Sequence, residues 1–173
     1  MMKMKTSALV LLAALSAPFA QAAETTPYVY NDVATQPSNQ KDREIAGLFD
    51  RWNAALKSGS AQAVVDLYAP DAMLQPTVSN QVRTTPAQIK DYFDHFLALK
   101  PIGQINYRDI HRLGNDVAID SGVYTFLLTG ADGATRQVQA RYTFVYEQLN
   151  GQWKILNHHS SAMPEVQAKH AAN

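Results

Sequence analysis

The stretch GQWKILNHHSSAMP, residues 151–164, decides the fold. It opens on a turn glycine, runs through the strand-forming Trp153-Lys154-Ile155-Leu156, and closes on a polar end at His158, His159, Ser160 and Ser161 before Pro164. Working back from it, the period of two persists to residue 103, and strands are predicted over 103–112, 117–128, 135–148 and 152–160. The breaks between them are Gly114-Asn115-Asp116, Gly130-Ala131-Asp132-Gly133 and Asn150-Gly151. Connections this short join antiparallel neighbours, because a parallel crossover consumes about a dozen residues or more. The expected sheet is therefore an antiparallel meander.

Ahead of the strands the period changes to that of a helix. Ile45, Leu48, Phe49, Trp52 and Leu56 form one apolar stripe that Gly59 can end. Ser60 can cap a second, shorter helix through Val64, Val65, Leu67 and Tyr68, limited by Pro70, and residues 71–76 read as a short extended piece. Thr85-Pro86-Ala87-Gln88 supplies a cap, a first-turn proline and a capping-box glutamine for a third helix carrying Ile89, Tyr92, Phe93, Phe96 and Leu97. Helices first and strands last give an α+β domain, with three N-terminal helices packed in a curved antiparallel sheet over residues 41–165.

Outside that span, Lys3 and Lys5, the apolar run Ala8 to Leu15, Pro18 and the small residues around Ala20-Gln21-Ala22 have the three-part layout of a secretory signal cut after Ala22. The run is too short to cross a bilayer, which takes roughly 20 apolar residues, and no membrane span is expected in the mature chain. Residues 23–40 read as a flexible arm, and 166–173 as a disordered tail. Cleavage leaves 151 of the 173 residues, with 13 basic against 15 acidic side chains and no charge run, so nucleic acid is not an expected partner. With no cysteine the chain has no disulfide, thiolate ligand or sulfur nucleophile. A periplasmic or secreted location follows from the signal.

A helix pair followed by LYAPDAMLQP, a third helix, and a long sheet ending in NGQWKILNHHSSAMP resembles the cone-shaped superfamily named after nuclear transport factor two. Within it, Gly151, the Trp153 to Leu156 run, the paired histidines, the serine and Pro164 resemble the association domain of calcium/calmodulin-dependent protein kinase II over about residues 42–164. The resemblance implies a domain that assembles with itself, as dimers or larger rings, around a pocket in the mouth of the cone. It implies no kinase activity, and the chain has no glycine-rich phosphate loop and no H-R-D or D-F-G signature. Ser160 stands where that kinase domain has an arginine, so a strongly cationic pocket is not carried over.

Strand alternation puts Arg141, Thr143, Val145 and Glu147 on one face and Tyr142, Phe144 and Tyr146 on the other. On the last strand Trp153, Ile155, Asn157, His159 and Ser161 alternate with Lys154, Leu156, His158 and Ser160, and the first set is expected to face the cone because Trp153 and Ile155 are its apolar members. His159 would then sit at the pocket as a ligand contact, or along an oligomer seam. Arg141 either pairs with Asp120 or binds an anionic guest. Trp52, Tyr107 and Tyr124 are expected at the pocket wall. Adjacent strand histidines point to opposite faces, so no metal site is expected, and no cofactor motif is present.

These features favour an exported, homo-oligomerising domain that binds a small molecule, anionic if Arg141 is not paired with Asp120, without catalysis. The rival is an isomerase, dehydratase or cyclase with His159 or Asp120 as general base and Tyr107 or Tyr124 as oxyanion partner. A third reading is an interaction module with a filled cavity.

Overall fold

The computed structural model describes residues 29–164. The expected signal peptide and C-terminal tail lie outside them. The first helix, α1 (Gln40–Lys57), starts where the Asn39 side chain accepts the Asp42 N–H at 2.8 Å, and Gly59, at φ 72°, lets the chain leave the helix in the left-handed region. Its buried stripe is Ile45, Ala46, Leu48, Phe49, Trp52 and Leu56. Helix α2 (Ala61–Val65) is capped by Ser60, whose hydroxyl accepts the Ala63 N–H. It is shorter than the sequence suggests: Tyr68 and Pro70 belong to strand β1 (Tyr68–Gln75), where Pro70 is tolerated because β1 is an edge strand.

Helix α3 (Pro86–Phe96) begins as its motif predicts, with the Thr85 hydroxyl accepting the Gln88 N–H. The Gln88 side chain instead reaches back one residue further, accepting the Thr84 N–H at 2.9 Å. A short 3-10 turn over Leu97–Leu99 leads into β2 (Ile102–Arg112), β3 (Val117–Thr129), β4 (Thr135–Leu149) and β5 (Gln152–Ala162). The four strands and their three turns fall where the period of two places them.

The sheet corrects the expected meander in one respect. Its order is β1-β5-β4-β3-β2, and β1 joins β5 in parallel, so the sheet is mixed and five-stranded. The parallel pair becomes possible because α3 and three strands separate β1 from β5 in the chain. The sheet curls around α1 and α3, whose apolar stripes meet the inward residues Tyr124, Phe126, Tyr142 and Phe144. Trp52, 1% exposed, is a centre of that core, with its ring within 6.2 Å of Phe93, Phe126, Phe144 and His158. Burying such a ring contributes about 3 kcal/mol or less.

Two irregularities set which side chains face inward. A bulge in β2 between Ile105 and Tyr107 turns Arg108 into the core and Tyr107 out of it. Opposite this bulge stands Gly122, where an added Cβ would lie 2.0 Å from the Tyr107 carbonyl oxygen. Gly122→Ala is therefore expected to cost about 1–3 kcal/mol in urea denaturation as the strands are forced apart. An unchanged midpoint would show that the bulge relaxes freely.

A second bulge, in β5, falls between Ile155 and Asn157. Of the segment 23–40, residues 29–39 run along the sheet beside the β2 bulge, where the Ala34 N–H donates to the Ile105 carbonyl and the side chains of Asn106 and Gln139 donate to the Asp32 and Tyr30 carbonyls.

Candidate functional site

A cavity of about 330 Å³ opens between the curled sheet, α3 and the loop after β1. Its walls are aromatic and aliphatic: Trp52, Tyr92, Phe93 and Phe96 from the helices face Phe126 and Leu128 from β3. Pro76, Thr77 and Val78 border it, on a loop closed by paired backbone hydrogen bonds between Leu74 and Arg83. A mostly apolar concavity with a few convergent polar groups is the form small-molecule sites take.

The polar groups come from three elements. The Tyr124 hydroxyl on β3 donates to Ser160 Oγ on β5, and Ser160 Oγ shares a second hydrogen bond with Thr77 Oγ1. Burial pushes the Tyr124 hydroxyl up to about 12, against its bonds to Ser160 and Thr77, so it keeps its proton at neutral pH. Beside them His158, 3% exposed, stacks on Phe144 at 4.0 Å and holds the Tyr68 hydroxyl at 2.9 Å through Nδ1. Burial, and secondarily its neighbour His159, lowers the imidazole to about 3. His158 is thus neutral, with Nε2 enclosed and unpartnered among the described residues. Arg136, exposed at the rim, is the one arginine, lysine or carboxylate side chain in the lining.

A separate polar centre lies deeper on the same sheet face. Asp120 is fully buried, and its Oδ1 accepts from Arg108 Nε at 3.1 Å and from the Tyr142 hydroxyl at 2.9 Å. Its Oδ2 has no partner among the described residues. Burial raises this carboxyl to about 6 in spite of Arg108 beside it. The Arg108 guanidinium lies 5.8 Å from the Phe49 ring centre and donates to the Ala46 carbonyl, and Asp120 is not part of the cavity lining.

The structure relocates several expected site residues. Trp52 and Tyr124 line the cavity. His159 does not: the β5 bulge reverses the alternation after Ile155, so His158 and Ser160 turn inward and His159 is exposed on the outer face. Trp153 is half-buried and bonds Glu44 of α1 through its indole N–H. Arg141 is exposed and, among the described residues, reaches only the Ala162 carbonyl, while the partner of Asp120 is Arg108. Tyr107 is 51% exposed and packs against Tyr30 at 5.9 Å. Neither His159 nor Asp120 reaches the cavity as a general base. No group of three or more potential metal ligands occurs among the described residues.

Sequence reasoning missed His158, Thr77 and Arg136 as lining residues and Arg108 as the buried cation. The Asp120 partner turned on strand register and on the β2 bulge. The connection over residues 130–134 pairs Thr129 with Thr135 and so places Asp120 beside Phe144, on the face opposite Arg141, whereas a connection one residue shorter would put the two on one face.

Residues 41–164 match the profile of the calcium/calmodulin dependent protein kinase II association domain. A crystal structure from Xanthomonas campestris, provisionally assigned to that same domain, is 56% identical over 81% of this chain and the whole of its own, with a TM-score of 0.80. A nuclear transport factor 2-like protein from Salmonella enterica is 18% identical, with 76% of this chain and 96% of its own covered and a TM-score of 0.62. A protein from Novosphingobium aromaticivorans provisionally assigned as a scytalone dehydratase is 13% identical, with 77% and 95% covered and a TM-score of 0.64. The last two establish the nuclear transport factor 2-like fold alone. No curated protein matches the sequence.

Proposed function

The chain belongs to the calcium/calmodulin-dependent protein kinase II association-domain family, and from that membership we propose that it is an exported, self-assembling pocket domain that binds a small amphipathic molecule and catalyses no reaction. The observation that carries the binding half is the cavity: apolar walls, protonated hydroxyls and a neutral imidazole, with no carboxylate among the lining residues. An imidazole held near 3 is a weak proton acceptor at neutral pH, because efficient general bases have pKa values close to the working pH. Binding suits such a site better than proton abstraction.

Self-assembly is supported by the outer face of the sheet, which no described helix covers. It presents the pair Ile119 and Val145 with the uncharged pair Ser121 and Thr143 next to it along the ladder, and His159 and Arg141 lie on the same face. Those two residues thereby become candidates for a subunit seam rather than for the pocket. Export rests on the N-terminal signal, and its destination is the periplasm or the medium.

Size-exclusion chromatography with light scattering of the chain from residue 23 should give a dimer or larger at micromolar concentration, and a clean monomer would sink the assembly half. For the pocket, 8-anilinonaphthalene-1-sulfonate should bind the wild type, and Ala140→Phe, which fills the cavity from β4, should weaken it about tenfold, the equivalent of about 1.4 kcal/mol. Equal binding by wild type and variant, with matching circular dichroism, would remove the cavity as the site.

A further inference from the structure

The two ends of the cavity differ in chemistry. Along β4, Arg136 pairs with Leu128 and Ala140 with Tyr124, so four residues, roughly 13 Å of strand at about 3.3 Å each, separate the arginine from the level of the tyrosine. Ser160 stands two residues further along β4, opposite Tyr142. The charged group is thus at one end and the hydroxyl cluster at the other, with aromatic walls between them.

Each end has unused bonding capacity. Arg136 has no hydrogen-bond or ion-pair partner among the described residues, and its five donors suit a carboxylate. Tyr124, Ser160 and Thr77 hold three protons, of which two are used in the hydrogen bonds they make with one another. One proton and several lone pairs remain, a set that suits a hydroxyl or a carbonyl. It does not suit a second carboxylate, since no cation lines that end.

Taking the pocket reading above as its premise, we propose that the ligand is an aryl carboxylic acid with a hydroxyl or carbonyl group at the far end of its ring. Its carboxylate pairs with Arg136 at the rim, its ring lies against Trp52, Phe93 and Phe126, and its far oxygen bonds the Tyr124–Ser160–Thr77 cluster. The face-bearing walls favour a planar body over a branched aliphatic one.

Isothermal titration of the chain from residue 23 with three probes tests this. They are 3-(4-hydroxyphenyl)propanoate, 3-phenylpropanoate, which lacks the hydroxyl, and 3-(4-hydroxyphenyl)propan-1-ol, which lacks the carboxylate. The hydroxy acid should bind about fivefold more tightly than the deoxy acid and about tenfold more tightly than the alcohol. Arg136→Ala should abolish the preference for acid over alcohol alone. Tyr124→Phe, which keeps the ring, or Ser160→Ala should abolish the preference for the hydroxyl alone. Affinities within twofold of one another for all three probes would overturn the proposal and leave the pocket reading intact. Binding of none of them, with no binding of the anilinonaphthalene dye, would overturn both.

Discussion

Replacing Arg108 by leucine is expected to lower the unfolding free energy by about 3–5 kcal/mol at neutral pH, the usual cost of stranding one member of a buried ion pair. The side chain is 7% exposed and its Nε is, among the described residues, the one cationic donor to Asp120, which is fully enclosed. Without it the carboxyl keeps only the Tyr142 hydroxyl, with Oδ2 already unpartnered. The remaining routes are to bury a bare charge or to take up a proton, and both favour the unfolded chain. Urea denaturation measures the loss. The double variant with Asp120→Leu should recover most of it, because an apolar pair carries no desolvation cost. A single-variant loss below about 1 kcal/mol would mean that the Arg108 contact contributes nothing net.

The second large effect is a pair of opposed pH dependences. Asp120 is raised to about 6 in the folded state, above its ordinary 3.8, so between these values the folded chain binds the extra proton. Its contribution to stability is complete below about 4 and is lost as pH rises through about 6, on the order of 3 kcal/mol. His158 is lowered from 6.5 to about 3, so the unfolded chain binds the proton first. Its contribution is complete above about 6.5 and is lost as pH falls towards 3, on the order of 5 kcal/mol.

Across pH 4–6 the two nearly cancel, and below pH 4 the histidine acts alone. Measured against Asp120→Asn, the wild type should gain about 3 kcal/mol in relative stability between pH 7 and 4. Measured against His158→Gln, it should lose about 5 kcal/mol between pH 7 and 3. Denaturation midpoints that run parallel in wild type and variant would refute the corresponding assignment.

The family and the order of elements were legible because they rest on local rules. Caps at Ser60 and Thr85, turns at Gly114, Gly133 and Gly151, and a period that changes from helical to alternating near residue 101 each act over a few residues. The apolar stripe of α1 and the shared face of Tyr142, Phe144 and Tyr146 follow from the same periods, though not which way that face turns. The parallel strand β1 was not legible in the same way. Its eight residues contain a proline, and its partner β5 lies some 80 residues further along the chain, so nothing local to either strand signals the pairing.

The functional site turned on something smaller. Counting from the Asn150-Gly151 turn pairs Leu149 with Gln152 and Tyr146 with Ile155, and an unbroken ladder would bring His159 inward beside Tyr142. One extra residue, Leu156, moves the register so that His158 meets Phe144 and Ser160 meets Tyr142. The bulge in β2 likewise turns Arg108, rather than Tyr107, into the core. The sequence by itself determined the elements, the family and which strand residues share a face, since propensity and period are properties of neighbouring residues. Only the tertiary structure decided which histidine, which serine and which arginine face inward, because a bulge is placed by the packing of whole strands against one another and reverses every side chain beyond it.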